Sequence, residues 1–183
     1  MLLFARNFFK HPRMLGSIIP SSRFLIDDLL RGVDWRRARV FVEYGPGVGN
    51  ITAELLRRMH RDARLVVFET NDDFVEFLRE SLPDPRLHVV HGSAADVERV
   101  LAGMGLDGAD YVVSGIPFST MPPQVRDAVL RATRAVLARR GGRFLVYQFS
   151  RDVRRHLRRE FAEVREGFEP LNILPARLYY CSV

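Results

Sequence analysis

The sequence predicts a single α/β domain built on an open, doubly wound and mostly parallel sheet of seven strands that ends in an antiparallel hairpin. Three observations lead to this fold. Short apolar runs alternate with segments of helical periodicity, a glycine-rich stretch follows the first run, and the alternation breaks only near the carboxyl terminus. The chain of 183 residues suffices for one domain with a full core, and no linker or repeat divides it.

The strands are predicted from short, β-branched runs that are bounded by Gly, Pro or Asp. Continuous apolar runs of this length are typical of parallel strands covered on both faces. Parallel strands are expected at Arg39–Tyr44, Arg64–Glu69, Arg86–His91, Asp110–Gly115 and Arg143–Phe149. A turn containing Pro and Asn then joins residues 160–170 to residues 176–183, and this pair predicts the antiparallel hairpin.

Helices are predicted between the strands and ahead of them. The segment Asn50–His60 carries apolar residues every four positions, and the segment Pro122–Arg140 begins with prolines and ends at a Gly-Gly pair. Residues 150–159 read as a short helix. Ser21 or Ser22 is expected to cap a helix that begins directly after them.

Composition limits the classes of protein to which the chain can belong. With 47% hydrophobic and 27% charged residues it is globular rather than disordered, and a single cysteine excludes an internal disulfide. No apolar run is long enough to span a bilayer, and the amino terminus, interrupted by Arg6 and Lys10, is a poor signal peptide, so a cytoplasmic protein is expected. The net charge of +6 favours a polyanionic partner, either nucleic acid or an anionic membrane. The histidines lack metal-ligand spacing, so no metal is expected.

The stretch "VEYGPGVGN" predicts a cofactor loop. Gly45, Gly47 and Gly49 follow a strand and open a helix, where glycine allows a sharp turn and the close approach of a ligand. Glu69 ends the next strand, where a carboxylate accepts hydrogen bonds from two ribose hydroxyls. Glu43 precedes the glycines and suits a ligand with a cationic amino-acid end. A plain structural turn, and a helix-capping role for Glu69, remain alternatives.

These motifs resemble those of the class I S-adenosylmethionine-dependent methyltransferases, which have a Rossmann-like fold. "EYGPGVG", Glu69, "HGSA" and "SGIPF" follow one another in the family's order from about Arg39 onward. The resemblance implies S-adenosylmethionine as cofactor and S-adenosylhomocysteine as product, with the loop on the methionyl part and Ser93 and Ala94 beside the adenine. NAD is the alternative cofactor, which the hairpin and "SGIPF" oppose. The expected cofactor-binding residues are Glu43, Gly45, Gly47, Gly49, Glu69, Thr70, Ser93, Ala94 and Ser114.

Gly115 separates this sequence from the ribosomal RNA adenine dimethyltransferases, which it otherwise resembles and which carry Asn in that slot. An Asn holds the amino hydrogens of a base, whose lone pair is delocalised into the ring. An aliphatic amine needs no such group once it has lost the proton that it holds with a pKa of roughly 10. Gly115 therefore favours an aliphatic amine, with aromatic faces following the moving positive charge. The catalytic candidates are Tyr44, Gly115, Pro117, Phe118 and Tyr147, with Tyr179 and Tyr180 as further aromatics; core packing is the alternative for the aromatic candidates.

The amino-terminal segment predicts an amphipathic helix at a membrane. At helical periodicity its phenylalanines share one arc, its basic residues take the other, and Pro12 ends the helix. A helix that merely caps the sheet is the alternative. The residues expected to meet the membrane or the lipid are Phe4, Arg6, Phe8, Phe9, Lys10, Arg13, Ser21, Ser22 and Tyr180.

A closer resemblance, carried by "MLGSIIPSSRFL", "EYGPGVGNIT", "SGIPF", "YQFS" and "NILPARLYY", is to the soluble bacterial phospholipid N-methyltransferases, which methylate phosphatidylethanolamine. It implies a lid and membrane segment over residues 1–35 and a Rossmann-like core over residues 36–183. A monomer is expected, peripheral to the cytoplasmic face of the inner membrane, with a lipid and an anionic surface as partners rather than nucleic acid. Methylation of ornithine lipids, methylation of ribosomal RNA adenine at N6, and a non-catalytic cofactor-binding protein remain alternatives.

Overall fold

The computed structural model describes residues 21–183, and in it seven strands form one sheet in the order β3-β2-β1-β4-β5-β7-β6. The first five strands are parallel to one another, and β7 runs antiparallel to both β5 and β6. The predicted fold is confirmed, and each predicted parallel strand is present with bounds that shift by at most one residue. The strands are β1 Val40–Tyr44, β2 Arg64–Glu69, β3 Leu87–His91, β4 Tyr111–Ser114, β5 Arg143–Gln148, β6 Glu163–Glu169 and β7 Ala176–Ser182.

Six α-helices accompany the sheet within the described residues, and their ends follow from local sequence. Ser22 is the N-cap of the first helix, because its Oγ accepts a hydrogen bond from the Leu25 N–H at 3.2 Å, as predicted. Asn71 caps the third helix in the same way. The helices are α1 Arg23–Leu29, α2 Asn50–Arg58, α3 Asp72–Ser81, α4 Val97–Gly103, α5 Pro123–Ala138 and α6 Arg154–Glu160, with 3₁₀ turns at Ala94–Asp96 and Phe118–Thr120.

Apolar side chains fill both faces of the sheet. Alternate residues of β1 show the arrangement, since Val42 and Tyr44 belong to one apolar cluster and Phe41 to the other. The central strands therefore carry continuous apolar runs. The edge strand β6 is less buried and exposes the charged residues Glu163, Arg165 and Glu166, which discourages pairing with another chain. Among residues 21–183, no helix has the length and apolar character needed to cross a bilayer.

Four connections lie close together at the carboxyl edge of the sheet, which is the side where the parallel strands end. The loop after β1, the turn after β4 and the segment after β5 all leave the sheet at this edge. Because β7 is antiparallel to β5, with Arg177 opposite Gln148, the turn at residues 170–175 that precedes β7 lies at the same edge. The topology thus assigns the candidate site to this end of the sheet.

At the opposite edge, the Asp110 carboxylate joins three elements. Its Oδ2 accepts hydrogen bonds from the backbone N–H groups of Arg39 at 2.7 Å and Val40 at 2.8 Å, and its Oδ1 accepts from Arg140 Nε at 2.8 Å. Burial raises the pKa of Asp110, but these hydrogen bonds outweigh it and hold the pKa below its ordinary value of 3.8. The start of β1, the entry to β4 and the end of α5 are thereby fastened together.

We expect Asp110→Ala to lower the free energy of unfolding by about 2 to 3 kcal/mol at pH 7, because two backbone donors lose their acceptor. Since the folded pKa is depressed, this stabilisation is present above the unfolded pKa and is lost as the pH falls through the folded value. Urea unfolding at pH 7 and below pH 3.8 measures both effects. Asp107→Ala, at an exposed position nearby, is the control, and equal losses in the two variants at pH 7 would contradict the assignment.

Candidate functional site

The loop after β1 adopts left-handed backbone conformations at all three glycines, with φ of 68° at Gly45, 55° at Gly47 and 81° at Gly49. A Cβ on Gly45 would lie 2.6 Å from Cγ2 of Ile116, so the loop passes directly against the turn after β4. Gly49, which is expected to bind the cofactor, does not line the cavity described below. It starts α2, and a Cβ there would lie 2.8 Å from Leu78 Cδ2, so its small size serves the packing of α2 against α3.

Glu69, at the end of β2, forms the wall of the site that faces the glycine loop. One carboxylate oxygen accepts hydrogen bonds from the backbone N–H groups of Thr70 at 2.8 Å and Asn71 at 3.0 Å, and the other accepts from Gly47 N–H at 3.3 Å. Burial raises the pKa of Glu69, while these three hydrogen bonds and the nearby His91 oppose the rise. The carboxylate thereby links the glycine loop to the end of β2, and its further acceptor capacity is available to a diol.

A first cavity of about 230 Å³ lies between this wall and the turn after β4. Its apolar walls suit an adenine ring, its one carboxylate suits the ribose hydroxyls, and Gly45 leaves room for close approach, so its residues fit the nucleoside of S-adenosylmethionine. Ser93 borders the cavity as expected, but its Oγ accepts from the Ala95 N–H at 3.2 Å and serves as a cap. The lining residues are Gly45, Phe68, Glu69, Thr70, Gly92, Ser93, Ala94, Ile116, Pro117 and Met121.

A second cavity of about 200 Å³ adjoins the first, and Pro117 lines both. The turn Gly115–Pro117 is thus the partition between two neighbouring spaces. The structure brings three of the predicted catalytic residues together here, namely Gly115, Pro117 and Tyr147. The lining residues are Gly115, Pro117, Ser119, Tyr147, Gln148, Phe149 and Ser150.

Tyr147 occupies the space that a side chain at residue 115 would need. A Cβ on Gly115 would lie 2.8 Å from both Cε1 and Cζ of the Tyr147 ring, and closer still to its hydroxyl. Ser21 Oγ donates a hydrogen bond to this hydroxyl at 3.4 Å. Burial raises the pKa of Tyr147, the Ser21 hydrogen bond lowers it and Glu43 raises it, with a net increase that keeps the phenol neutral at physiological pH.

Gln148 is a candidate site residue that the sequence analysis missed. Its Nε2 donates to the carbonyl oxygens of Ile116 at 2.8 Å and Tyr147 at 2.7 Å. Because both amide hydrogens are used, Oε1 is left as an acceptor at the second cavity, which Gln148 lines. A buried polar residue at the end of an otherwise apolar strand was the available signal, since such residues are rarely placed without a partner.

Glu43 lies beside the glycine loop but lines neither cavity. It is buried, and Thr52 of α2 donates a hydrogen bond to its Oε2 at 2.7 Å. Burial raises its pKa to about 8, the Thr52 hydrogen bond lowers it and Glu69 raises it. The carboxyl is therefore mostly protonated at neutral pH, and a cationic ligand end nearby would favour its ionised form.

Two of the predicted catalytic aromatics, Tyr44 and Phe118, lie in the core. Tyr44 is fully buried, and its hydroxyl forms a hydrogen bond with Thr133 Oγ1 at 3.1 Å inside the core. Phe118 is also fully buried and packs edge-to-face on Phe144, with ring centroids 6.3 Å apart. Neither ring lines either of the two cavities, so the geometry favours core packing, the alternative for both residues.

Several other expected site residues also lie in the fold without lining either cavity. Tyr180 donates its hydroxyl to the Asp28 carbonyl at 2.9 Å and so packs on α1 rather than facing the site. Ser114 and Tyr179 have buried hydroxyl groups without a hydrogen-bond partner among the described residues, and neither lines the two cavities. Ser22 caps α1 with its Oγ, and its backbone N–H donates a hydrogen bond to Asn172 Oδ1 at 2.8 Å. Both groups therefore stabilise the fold. The remaining expected membrane residues lie outside the described residues: Phe4, Arg6, Phe8, Phe9, Lys10 and Arg13.

Within residues 21–183 no three His, Cys, Asp or Glu side chains come together as a metal-binding group.

Gly45→Ala should weaken the binding of S-adenosylmethionine by about tenfold or more, because the new methyl group would push Ile116 into the first cavity. Gly105→Ala is a closely matched control, since Gly105 has φ of 69° but nothing within 4 Å of its Cβ position. Both variants carry the strain of a left-handed alanine, about 1 to 2 kcal/mol. Calorimetric titration should show weakened binding in Gly45→Ala alone; equal affinities in the two variants would contradict the site.

Comparisons with known proteins show which sequences this chain resembles. A profile of the family described as ribosomal RNA adenine dimethylase matches residues 7–102. The ornithine lipid N-methyltransferase of Singulisphaera acidiphila is 37% identical over 180 residues, which cover 98% of this chain and 94% of that one. Ribosomal RNA small subunit methyltransferase A of Bordetella avium is 32% identical over 111 residues, covering 61% of this chain and 40% of that enzyme.

Solved structures share the fold. The precorrin-6y C5,15-methyltransferase of Geobacter metallireducens superposes with a TM-score of 0.71 at 14% identity, covering 90% of this chain and 92% of that one. A structure described as PigF with SAH has a TM-score of 0.60 at 17% identity, covering 88% of this chain and 55% of that one. The sequence matches and the fitted cofactor cavity together show that this chain belongs to the ribosomal RNA adenine dimethylase family and is an S-adenosylmethionine-dependent methyltransferase.

Proposed function

We propose that this enzyme methylates the aliphatic amine of a membrane lipid head group, with an ornithine lipid as the leading substrate. The observation that carries the proposal is the Tyr147 ring over Gly115, which leaves no room for the side chain that a base amino group needs. Similarity over nearly the full length of an ornithine lipid N-methyltransferase supports it. Phosphatidylethanolamine, expected from the motifs, becomes the second candidate, because the chain spans nearly all of a relative whose name specifies the ornithine lipid.

The acceptor cavity suits an amine that arrives without a formal charge. S-adenosylmethionine, when bound, supplies a methyl group on a positively charged sulfur. An alkyl ammonium holds its proton with a pKa of about 10, so the amine must lose that proton before its lone pair can attack. Gln148 Oε1 is positioned to accept an N–H of the amine and thereby to direct the lone pair toward the partition at Pro117.

Tyr147 has a positioning role in this proposal. Its ring forms a side of the second cavity, and an aromatic face stabilises the positive charge that develops on nitrogen. Its hydroxyl is neutral because burial raises its pKa. There is therefore no negatively charged phenolate to stabilise the ammonium form of the substrate, which cannot attack. The Ser21 hydrogen bond holds the ring in place.

The proposal also locates the enzyme at the cytoplasmic face of an anionic membrane, as a peripheral monomer that reaches its substrate in the bilayer. The predicted amphipathic segment of residues 4–13 leads into Ser21, and Ser21 contacts Tyr147 at the second cavity. A membrane-binding segment that enters the domain at this point would bring the cavity close to the lipid head groups.

Purified enzyme, supplied with S-adenosylmethionine, should methylate ornithine lipid in mixed vesicles, and lipid mass spectrometry detects the added methyl groups. Phosphatidylethanolamine vesicles and a small-subunit ribosomal RNA transcript are the parallel substrates. The Gly45→Ala variant controls for contaminating enzymes. Methylation of the transcript, with both lipids left unchanged, would overturn the proposal.

We expect Gly115→Asn to abolish lipid methylation and to lower the free energy of unfolding by about 1 to 3 kcal/mol, because the new side chain collides with Tyr147. In a Tyr147→Ala background the same substitution should cost much less, since the ring is gone. Gly103→Asn is the control, because nothing lies within 4 Å of its Cβ position. Equal stability costs of Gly115→Asn in the two backgrounds would show that Tyr147 is not the obstacle.

A further inference from the structure

The turn between β6 and β7 concentrates exposed apolar side chains. Among residues 21–183, eight large apolar side chains are exposed, and four of them lie between Phe168 and Leu174. Ile173 and Leu171 are the most exposed of all, at 69% and 63%. A soluble surface rarely gathers such residues on one projecting turn unless they contact something else.

This turn projects at the edge where the second cavity lies. Arg177 at the start of β7 pairs with Gln148 at the end of β5, so residues 170–175 extend beyond the last residues of β5. Phe149, also exposed, follows Gln148 and lines the second cavity. The apolar surface formed by Phe149, Phe168, Leu171, Ile173 and Leu174, here called the apolar rim, therefore borders the proposed acceptor site.

Hydrogen bonds hold the turn so that its apolar side chains point outward. Asn172 is 7% exposed; its Oδ1 accepts from the Ser22 N–H at 2.8 Å, and its Nδ2 donates to the Leu174 carbonyl at 3.0 Å. Glu169 Oε1 accepts from the Leu171 N–H at 2.6 Å. With Asn172 fastened inward to the start of α1, its neighbours Leu171 and Ile173 are displayed to solvent.

Two arginines, Arg177 and Arg151, lie next to residues of the apolar rim in space or along the chain. The Arg177 guanidinium lies 5.5 Å from the centre of the Phe168 ring. Arg151 follows Phe149 by two residues in the chain. Glu166 pairs with Arg154 at 2.5 Å, but within the described part of the chain Arg151 and Arg177 have no carboxylate partner.

We propose that the apolar rim inserts into the head-group region of an anionic phospholipid bilayer and thereby turns the second cavity toward the membrane. This inference rests on the proposed function, since it assumes that the substrate resides in a membrane. Apolar side chains bury in the hydrocarbon of a bilayer, and arginines without a carboxylate partner bind the anionic head groups above it. The Asn172–Ser22 hydrogen bond also joins the turn to the point where the predicted amphipathic segment enters the domain. Together they would make two attachments on one side of the protein.

Insertion can be measured with a dye on the turn itself. Ile173→Cys offers a single accessible thiol, because the natural Cys181 is only 1% exposed. An environment-sensitive dye at this position should shift to the blue when vesicles of phosphatidylglycerol and phosphatidylcholine are added, and less so with phosphatidylcholine alone. Val183→Cys is the matched control, since Val183 is exposed but follows the opposite end of β7. No shift at Ile173, or equal shifts at both positions, would overturn the proposal.

A charge variant connects insertion with catalysis. Leu171→Glu combined with Ile173→Glu should reduce binding to anionic vesicles by about tenfold or more, whereas Val183→Glu should not. Because both turn residues are exposed, the thermal unfolding temperature should stay unchanged. Methylation of a short-chain, monomeric lipid should be retained while methylation of vesicle lipid falls. Unchanged vesicle binding in the double variant would contradict the proposal.

Two further outcomes identify other occupants of the apolar rim. A blue shift that grows with protein concentration, without vesicles, would indicate a second copy of the chain. A shift toward longer wavelength in Phe8→Glu combined with Phe9→Glu, again without vesicles, would indicate that the amino-terminal segment covers the turn. Either result overturns the membrane assignment. If the dye enters vesicles but no lipid is methylated, the docking surface stands and the proposed function fails.

Discussion

The turn from Gly115 to Pro117 is the constraint on which both cavities depend. It is held from two sides, by Gly45, whose missing side chain admits Ile116, and by Gln148, whose amide binds the Ile116 carbonyl. The Tyr147 ring then covers Gly115 itself. Because the partition is fastened to β1 and β5 at once, a change at any of these contacts alters the cofactor space and the acceptor space together.

The two cavities differ in how far the family match covers them. The family profile matches residues 7–102, which include the glycine loop, Glu69 and Ser93 beside the first cavity. The second cavity is built from residues 115–150, beyond that match. Most residues that line the first cavity therefore lie within the matched segment, whereas all residues that line the second cavity lie outside it. Specificity lies in the site built on the fold rather than in the fold.

The fold was largely predictable because its strongest signals are local. Strands that are buried on both faces appear in the sequence as unbroken apolar runs. Glycine residues likewise mark the positions where the backbone turns left-handed. The direction of a side chain at a strand end is not local. Tyr44 and Phe118 fall where ligands bind in such sheets, yet alternation along β1 and the 3₁₀ turn send both into the core. Gln148 became informative only once its two carbonyl partners were known, since they set which amide atom remains available.

The position of β7 has a consequence for how the chain comes together on the ribosome. Among the strands of residues 21–183, β6 has β7 as its only neighbour, and β7 follows β6 in the chain and lies between it and β5. A growing chain therefore exposes β6 before any partner for it exists, and the five parallel strands form a sheet with an open edge at β5. Closure waits for the last strand to emerge and insert between two others. During that interval the nascent protein is vulnerable to mispairing, and a chaperone that shields an open sheet edge would act at this stage.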